Sequence, residues 1–391
     1  MTDKQTVKFG DICKEVKLTT KDPISKGYER YIGLEHLDSG SLKIKRWGII
    51  ADDNPSFTRV FKKGHILFGK RRPYLKKAAI AEFDGICSGD IIVMEPKLVN
   101  RELFPYVVQS DSFWHWAIQT SSGSLSPRTK YKSLAEYEFK LPNDKEQQRV
   151  VSVLTGITTA IDSIKISIES AQELKQSILA KLLLKGIGNK DFIDSKFGAY
   201  PSSWEMVTIG DVTQEHKQGF YATEKYTNEG CYLIRISDLD NPRVIFDEMP
   251  KVDVDTKTVE QFKVCKGDFL FARSGTIGRY GIYDSNEEAI FASYIIRFRF
   301  DESKILTSYF GYFYESILCA RQLRGIAQQG SNVNINADNI KKLRIPLPSI
   351  DEQKEILKVI TDIDLLIEEL NNKKAKTELL IRTLSNEMIG G

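Results

Sequence analysis

The 391-residue chain reads as an α+β protein built twice: two similar mixed α/β parts, each followed by a long α-helix. Two observations predict this. Four motifs occur twice in the same order, and two heptad seams match each other at a single offset. Gly10-Asp11-Ile12 recurs as Gly210-Asp211-Val212, and Ile32-Gly33-Leu34-Glu35-His36-Leu37-Asp38 recurs as Ile234-Arg235-Ile236-Ser237-Asp238-Leu239-Asp240. The stretch from Lys63 to Phe68 recurs from Lys266 to Phe271, and Leu141-Pro142…Glu146-Gln147 recurs as Leu347-Pro348…Glu352-Gln353. The offset grows from 200 through 202 and 203 to 206. That period is far too long for a solenoid unit, so a domain with its helix has been duplicated.

Within each globular part, short runs rich in β-branched and aromatic residues predict strands: Ile66 to Phe68, Ile91 to Met94, Tyr232 to Ile236, Phe269 to Phe271 and Tyr294 to Phe298. Helices are predicted over Tyr106 to Gln119 and Ser308 to Leu323. The long helices start after Pro142 and Pro348, which disfavour helix before them. Asp144 and Asp351 sit where N-caps or first-turn acids belong. The first seam runs Leu154, Ile157, Ile161, Ile164, Ile168, Ala171, Lys175, Ile178, Leu182. The second runs Ile360, Ile363, Ile367, Leu370, Lys374, Thr377, Ile381, Leu384, Met388, matching position for position at offset 206. A helix of about 38 residues is roughly 60 Å long, more than one small domain covers, so the two helices are expected to pack on each other. The alternative is an amphipathic helix packed on its own domain. Lys175, Lys374 and Thr377 interrupt the seams, either to fix register or as snorkelling side chains. Gly186-Ile187-Gly188-Asn189 ends the first helix with C-cap residues, and a linker from Asn189 to Tyr200 leads to Pro201 and Trp204 of the second part.

Hydrophobic content of 41% and charged content of 28% are ordinary for a soluble protein of two or three domains. The N-terminal Met-Thr-Asp-Lys-Gln contains no apolar signal region, and no uncharged apolar run approaches membrane-spanning length. Five dispersed cysteines (Cys13, Cys87, Cys231, Cys265, Cys319) read as reduced thiols in a cytoplasmic protein. The four histidines are equally dispersed, and no metal site is expected. Residues 1–145 hold 25 Lys and Arg against 18 Asp and Glu, a net of +7, while the remainder holds 31 against 35, a net of −4. A basic first part points weakly to a polyanionic partner.

Catalytic motifs fail on inspection. Gly64 to Lys70 fits G-x-x-x-x-G-K, but Arg71 stands where a P-loop needs Ser or Thr, and the middle of the run is an apolar strand. Asn54-Pro55-Ser56-Phe57 faintly resembles the Asn-Pro-Pro-Tyr/Phe loop of amino-methyltransferases, lacks one proline, and reads as a turn. Two loops recur in type. The first is basic: Lys70, Arg71, Arg72, Tyr74 and Lys76 in one copy, Arg273, Ser274, Thr276 and Arg279 in the other. The second is small and polar: Ser124, Arg128 and Lys130 in one copy, Gln329, Ser331, Asn332 and Asn334 in the other. Lys and Arg neutralise phosphates, Arg reads guanine with two hydrogen bonds, and Gln or Asn pairs with adenine. These sixteen residues are the candidate DNA contacts. A solvated basic surface and an ordinary Ser/Asn-rich loop are the plain alternatives.

The chain resembles the specificity subunit of type I restriction-modification systems over essentially its whole length. The resemblance is carried by the two Leu-Pro…Glu-Gln helix starts, by Arg72-Pro73-Tyr74-Leu75…Asp84-Gly85-Ile86-Cys87-Ser88, and by Arg273-Ser274-Gly275-Thr276-Ile277-Gly278. It implies two target recognition domains (1–143 and 189–349, the latter with its linker) and two long helices (144–188 and 350–391). It implies that the helices form an antiparallel coiled coil. It also implies that each recognition domain reads half of an asymmetric bipartite sequence in double-stranded DNA, and that the helices space the readers and dock two modification subunits. The resemblance further implies that the chain is non-catalytic and binds no cofactor. S-adenosylmethionine belongs to the modification subunits, and ATP and Mg to partner subunits including the restriction/translocase subunits. One departure is that residues 200–349 are not net basic, with 18 Lys and Arg against 20 Asp and Glu. The competing classes are a coiled-coil adaptor joining protein partners, disfavoured by the two polar loops, and a self-contained methyltransferase or nuclease, disfavoured by the missing motifs.

Overall fold

The structure is a computed structural model and describes residues 5–221, 226–273, 278–327 and 336–389, without the side chains of residues 326, 327, 388 and 389. The chain divides into two compact units, Met1–Ile166 with Asn371–Gly391, and Ser167–Leu370. Each unit therefore joins one globular part to a segment of both long helices.

In the first unit a four-stranded sheet runs in the order Cys13–Glu15, Ile91–Pro96, Ile66–Gly69, Ala78–Ile80. Its strands alternate between two cores, because successive side chains of a strand point to opposite faces. Ile66, Phe68, Ala78, Ile92 and Met94 face a core of helices, while Leu67, Ala79, Ile91 and Val93 face a second core. Burial on both faces explains why these strands read as continuous apolar runs. A second sheet, ordered Gly48–Ile49, Arg30–Ile32, Gly85–Cys87, Arg59–Phe61, has a parallel pair at its centre. The second unit repeats the plan. Thr213–Gln218, Ile295–Phe300, Phe269–Ala272 and Tyr280–Ile282 form the four-stranded sheet, and Cys231–Ile234 pairs in parallel with Ala289–Phe291. The suspect motifs fall inside this frame. Gly64 is a turn residue with φ 88° leading into a buried strand, and Asn54, at φ 44°, ends the short helix Ile50–Asp53 as a turn.

The predicted helix from Tyr106 is two helices, Phe104–Gln109 and Asp111–Gln119, and the helix predicted from Ser308 is Thr307–Glu315 and Ile317–Ala327. The break is a single serine in each copy. Ser110 is extended (φ −63°, ψ 145°); its hydroxyl donates to the Val107 carbonyl at 2.8 Å and accepts from the Phe113 amide. Ser316 does the same between the Phe313 carbonyl and the Cys319 amide. A serine that offers the backbone local hydrogen bonds competes with the helix and caps the next one.

The long helices span Asp144–Lys185 and Ile350–Ile389. Asn143 and Ser349 are their N-caps, accepting from the amides of Glu146 and Glu352, so Asp144 and Asp351 are first-turn residues. Gly186, at φ 60°, follows the last turn of the first helix and Asn189 bonds the Lys185 carbonyl, the C-cap the sequence predicts. The glutamine of the repeated Leu-Pro…Glu-Gln motif is structural. Gln147 donates to the Pro142 carbonyl and accepts from the Asn100 amide. Gln353 donates to the carbonyls of Pro348 and Lys304 and accepts from the Leu306 amide. Both are buried, so each ties its helix start to the loop ahead of the helix pair.

The ends of the seams enter the globular cores. In the first unit Val150 and Leu154 belong to the helical core, with Ile381 and Leu384 packed against it. In the second unit Leu179, Leu182, Ile356 and Ile360 share the core of the aromatic sheet. Residues at the ends of the seams thus pack on the globular parts. Met388, last in the second seam, has its side chain outside the described residues. Asp144–Lys185 contains an 18-residue window of mean hydropathy 1.3, long and apolar enough to cross a membrane by length and composition alone. Its seam residues Leu154, Ile161, Ile164 and Ile168 are buried within protein, as in an amphipathic helix of a packed domain.

Lys175 has a defined role in the second unit. Its ammonium lies 2.7 Å from Asp364 and 3.2 Å from Glu315 and faces the Tyr312 ring at 5.1 Å. Tyr280 and Tyr312 donate to the same two carboxylates. Burial pushes the Lys175 pKa down, but the hydrogen bond to Asp364 and the field of Glu315 overcome it and leave the ammonium above its ordinary value. The first unit carries Ile381, Thr158 and Gln109 at the equivalent positions, each 206 residues away, with Tyr106 bonded to Thr158.

Candidate nucleic-acid interface

In the first unit the two loops meet. The strand Ile66–Gly69 delivers Lys70 and Arg71 to the surface, and a single 3-10 turn, Pro73–Leu75, follows. Arg72 and Lys76 flank that turn with φ of 54° and 47°. Left-handed backbone costs a non-glycine residue about 1–2 kcal/mol, and residues held this way cluster at ligand sites. The turn projects Arg72 and Tyr74 into solvent. The polar loop lies against it: Arg72 donates its amide to the Pro127 carbonyl at 2.7 Å, and Thr129 donates to the Lys70 carbonyl at 3.0 Å. Arg128 bridges both Arg71 and Ser122. Ser124 is exposed at the tip of this loop, and Lys130 is exposed at the start of the helix Tyr131–Ala135.

The charges at this platform are of two kinds. Arg128 holds Asp90 through Nε at 2.9 Å and a second nitrogen at 3.3 Å, and Arg71 lies 3.8 Å from the same carboxylate. The hydrogen bond from Arg128 lowers the Asp90 pKa. Lys76 is committed to Asp111 at 2.7 Å, where Arg382 and Asn386 also bind. Against the opposing effect of burial, the Arg382 hydrogen bond, followed by Lys76 and Asn386, holds that carboxyl far below the usual range. Lys70, Arg72 and Lys130 make no ion pair among the described residues, which leaves them available to phosphate.

In the second unit Arg273 follows the strand Phe269–Ala272 as Lys70 follows its own, and its amide donates to the Tyr294 carbonyl at 3.0 Å. This bond matches that of the Lys70 amide to the Asp90 carbonyl, at 2.9 Å. The Arg279 carbonyl accepts from the Ala272 amide at 3.0 Å. A polar cavity of about 390 Å³ lies beside Arg273, lined also by His216, Gln218 and Asn336. Ser274, Thr276, Gln329, Ser331, Asn332 and Asn334 lie outside the described residues. No cluster of three or more His, Cys, Asp or Glu able to hold a metal occurs among the described residues.

Sequence reasoning missed Asp90, whose only signal was its place beside a strand, and Arg297. Arg297 is buried in the second unit, where Glu215, Asp268 and the Lys263 carbonyl hold it. Val93 occupies the corresponding strand position of the first unit.

One mixed α/β frame thus occurs twice, each copy attached to segments of the long helices, with Lys70 beside Asp90 in one and Arg273 beside Tyr294 in the other. The chain belongs to the family of the type I restriction modification DNA specificity domain, whose pattern matches residues 1–175 and 201–379. With that membership comes a role in DNA-target recognition. The MjaVIII specificity subunit of Methanocaldococcus jannaschii is 24% identical, with 100% of this chain and 92% of that protein aligned. The EcoBI specificity subunit of Escherichia coli is 23% identical over 78% of this chain and 71% of its own. Among solved structures, a chain from a type I R-M system aligns over 98% of this chain and 97% of its own, with a TM-score of 0.66 at 17% identity, a likeness of fold.

Proposed function

We propose that this chain is the non-catalytic recognition subunit of a type I restriction-modification enzyme. Residues 1–143 and 189–349 each read one half of an asymmetric bipartite sequence in double-stranded DNA. The long helices, 144–188 and 350–391, pair as an antiparallel coiled coil that spaces the readers. The observation that carries this reading is the repeated seat with unlike side chains. The same strand end and the same backbone bond present Lys70 beside Asp90 in one copy and Arg273 beside Tyr294 in the other. A duplicated frame with divergent polar residues suits two unlike half-sites. Exposed lysines and arginines fix position on phosphate, and fixed side chains read base edges.

Docking of two modification subunits is supported by a second repeat. The first unit exposes Val153 and Leu380, and the second exposes Val359 and Leu174. Val153 is equivalent to Val359 and Leu174 to Leu380 at offset 206, so the same two apolar positions are exposed in each unit. The partners carry S-adenosylmethionine, ATP and Mg, and restriction/translocase subunits join the full complex. A helix of 42 residues is about 63 Å long, enough to place readers at major-groove sites one turn of about 34 Å apart.

The test is to express the chain with its modification subunit and map methylated adenines genome-wide. A motif split by an unspecified spacer is expected. Methylation unchanged by the chain despite an intact complex would instead establish the adaptor, and methylation by this chain alone would establish an enzyme.

A further inference from the structure

Arg128 is the most constrained cation of the first reader's platform. Its backbone pairs with Ser122 in both directions, at 2.9 and 3.0 Å. Its guanidinium presents Nε and one terminal nitrogen to Asp90. Asp90 is itself fixed at both ends: its amide donates to the Ser88 hydroxyl at 3.2 Å and its carbonyl accepts from Lys70. The remaining donors of Arg128, all on its two terminal nitrogens, have no partner among the described residues, on a side chain 47% exposed.

This arrangement suits one ligand chemistry. A phosphate contact gains from full, mobile positive charge, and a carboxylate beside the arginine cancels that charge. A base contact needs a fixed planar fork, and the two end-on donors of an arginine match guanine O6 and N7. Buttressing by Asp90 therefore spoils Arg128 for phosphate and prepares it for guanine. Lys70 and Arg72, whose side chains make no ion pair among the described residues, retain the phosphate role. In the second reader the seat of Asp90 is taken by Tyr294, whose side chain is exposed, so the seat differs in chemistry where the two half-sites must differ.

We infer that Asp90 is a positioning residue that makes Arg128 a reader of one guanine in the first reader's half-site. The inference rests on the DNA-reading function proposed above. The test uses the chain assembled with its modification subunit, on duplexes of the recognised sequence. 7-Deazaguanine, which lacks the N7 acceptor, replaces each guanine of that half-site in turn. Wild type is expected to lose on the order of 5- to 150-fold in affinity at one position, the 1–3 kcal/mol of a bidentate contact converted at 1.4 kcal/mol per tenfold. Asp90→Asn and Arg128→Gln are each expected to abolish the response at that position. Both should keep discrimination in the second reader's half-site, which reports an intact assembly. The inference is overturned if either variant retains the wild-type response at every guanine, or if a sequence-selective wild type responds at none. A wild-type complex with no sequence preference at all overturns the DNA-reading function itself.

Discussion

Replacing Lys175 with isoleucine places in the second unit the residue that the first unit uses at the same position, Ile381. The surroundings decide the outcome. The side chains of Glu315 and Lys175 are 15% and 14% exposed, and that of Asp364 is 32%. Removing one partner of a buried ion pair strands the other charge, at about 3–5 kcal/mol. Partial exposure of Asp364 screens some of that, so Lys175→Ile is expected to destabilise by about 2–3 kcal/mol. For a unit of this size that is a fall of about 5–10 °C in Tm. The triple variant Lys175→Ile/Asp364→Thr/Glu315→Gln copies the whole constellation of Ile381, Thr158 and Gln109 and should return to within about 1 kcal/mol of wild type, since swapping a buried ion pair for a matched neutral set is often neutral. Urea titrations of the full chain read both numbers. The folded-state pKa of Lys175 is raised above its ordinary 10.5. Its contribution is therefore fully present below pH 10.5 and is lost as pH rises through the higher folded value. The gap between wild type and Lys175→Ile should stay flat between pH 7 and 9. A neutral single variant, or a triple variant as unstable as the single, refutes the reasoning.

Lys76→Met should lower thermal stability while leaving DNA affinity within about twofold, because its ammonium serves Asp111; a large affinity loss with unchanged Tm would return Lys76 to the DNA contacts. Asp111 has a depressed pKa, so the stability it supplies is present above its ordinary 3.8 and is lost as pH falls below that value. Asp111→Asn should flatten the acid limb in a pH-dependent melt. Gln353→Leu strands two carbonyls and one amide and should cost about 2–4 kcal/mol in urea unfolding, whereas a surface glutamine would cost nothing measurable. Deleting one heptad from both long helices should change the spacer between half-sites, read by methylation mapping, with the half-sites themselves unchanged; altered half-sites would sink the ruler.

The duplication was legible because it leaves identical words in the sequence, and the sheets because strands buried on both faces are uninterrupted apolar runs. The serine breaks were not legible. Ser110 and Ser316 lie in runs of good helical pattern with no glycine or proline within four residues on either side, and the break depends on side-chain capping. The basic loop could be located but its charges could not be sorted. Lys76, Arg128 and Lys70 look alike in a list, and only Asp111 and Asp90, distant in sequence, distinguish a clamp, a held fork and an open charge. The lysine in the first seam was visible as an interruption, while its acidic partners, 140 and 189 residues further along, were not.

Exchange of residues 200–346 for the corresponding segment of another family member, followed by genome-wide methylation mapping with the modification subunit, tests the central claim most directly. Two independent readers on one frame predict that one half-site changes, while the other half-site and the spacer stay as they were. A change in both half-sites, or in neither, would contradict the assignment of one reader to each half.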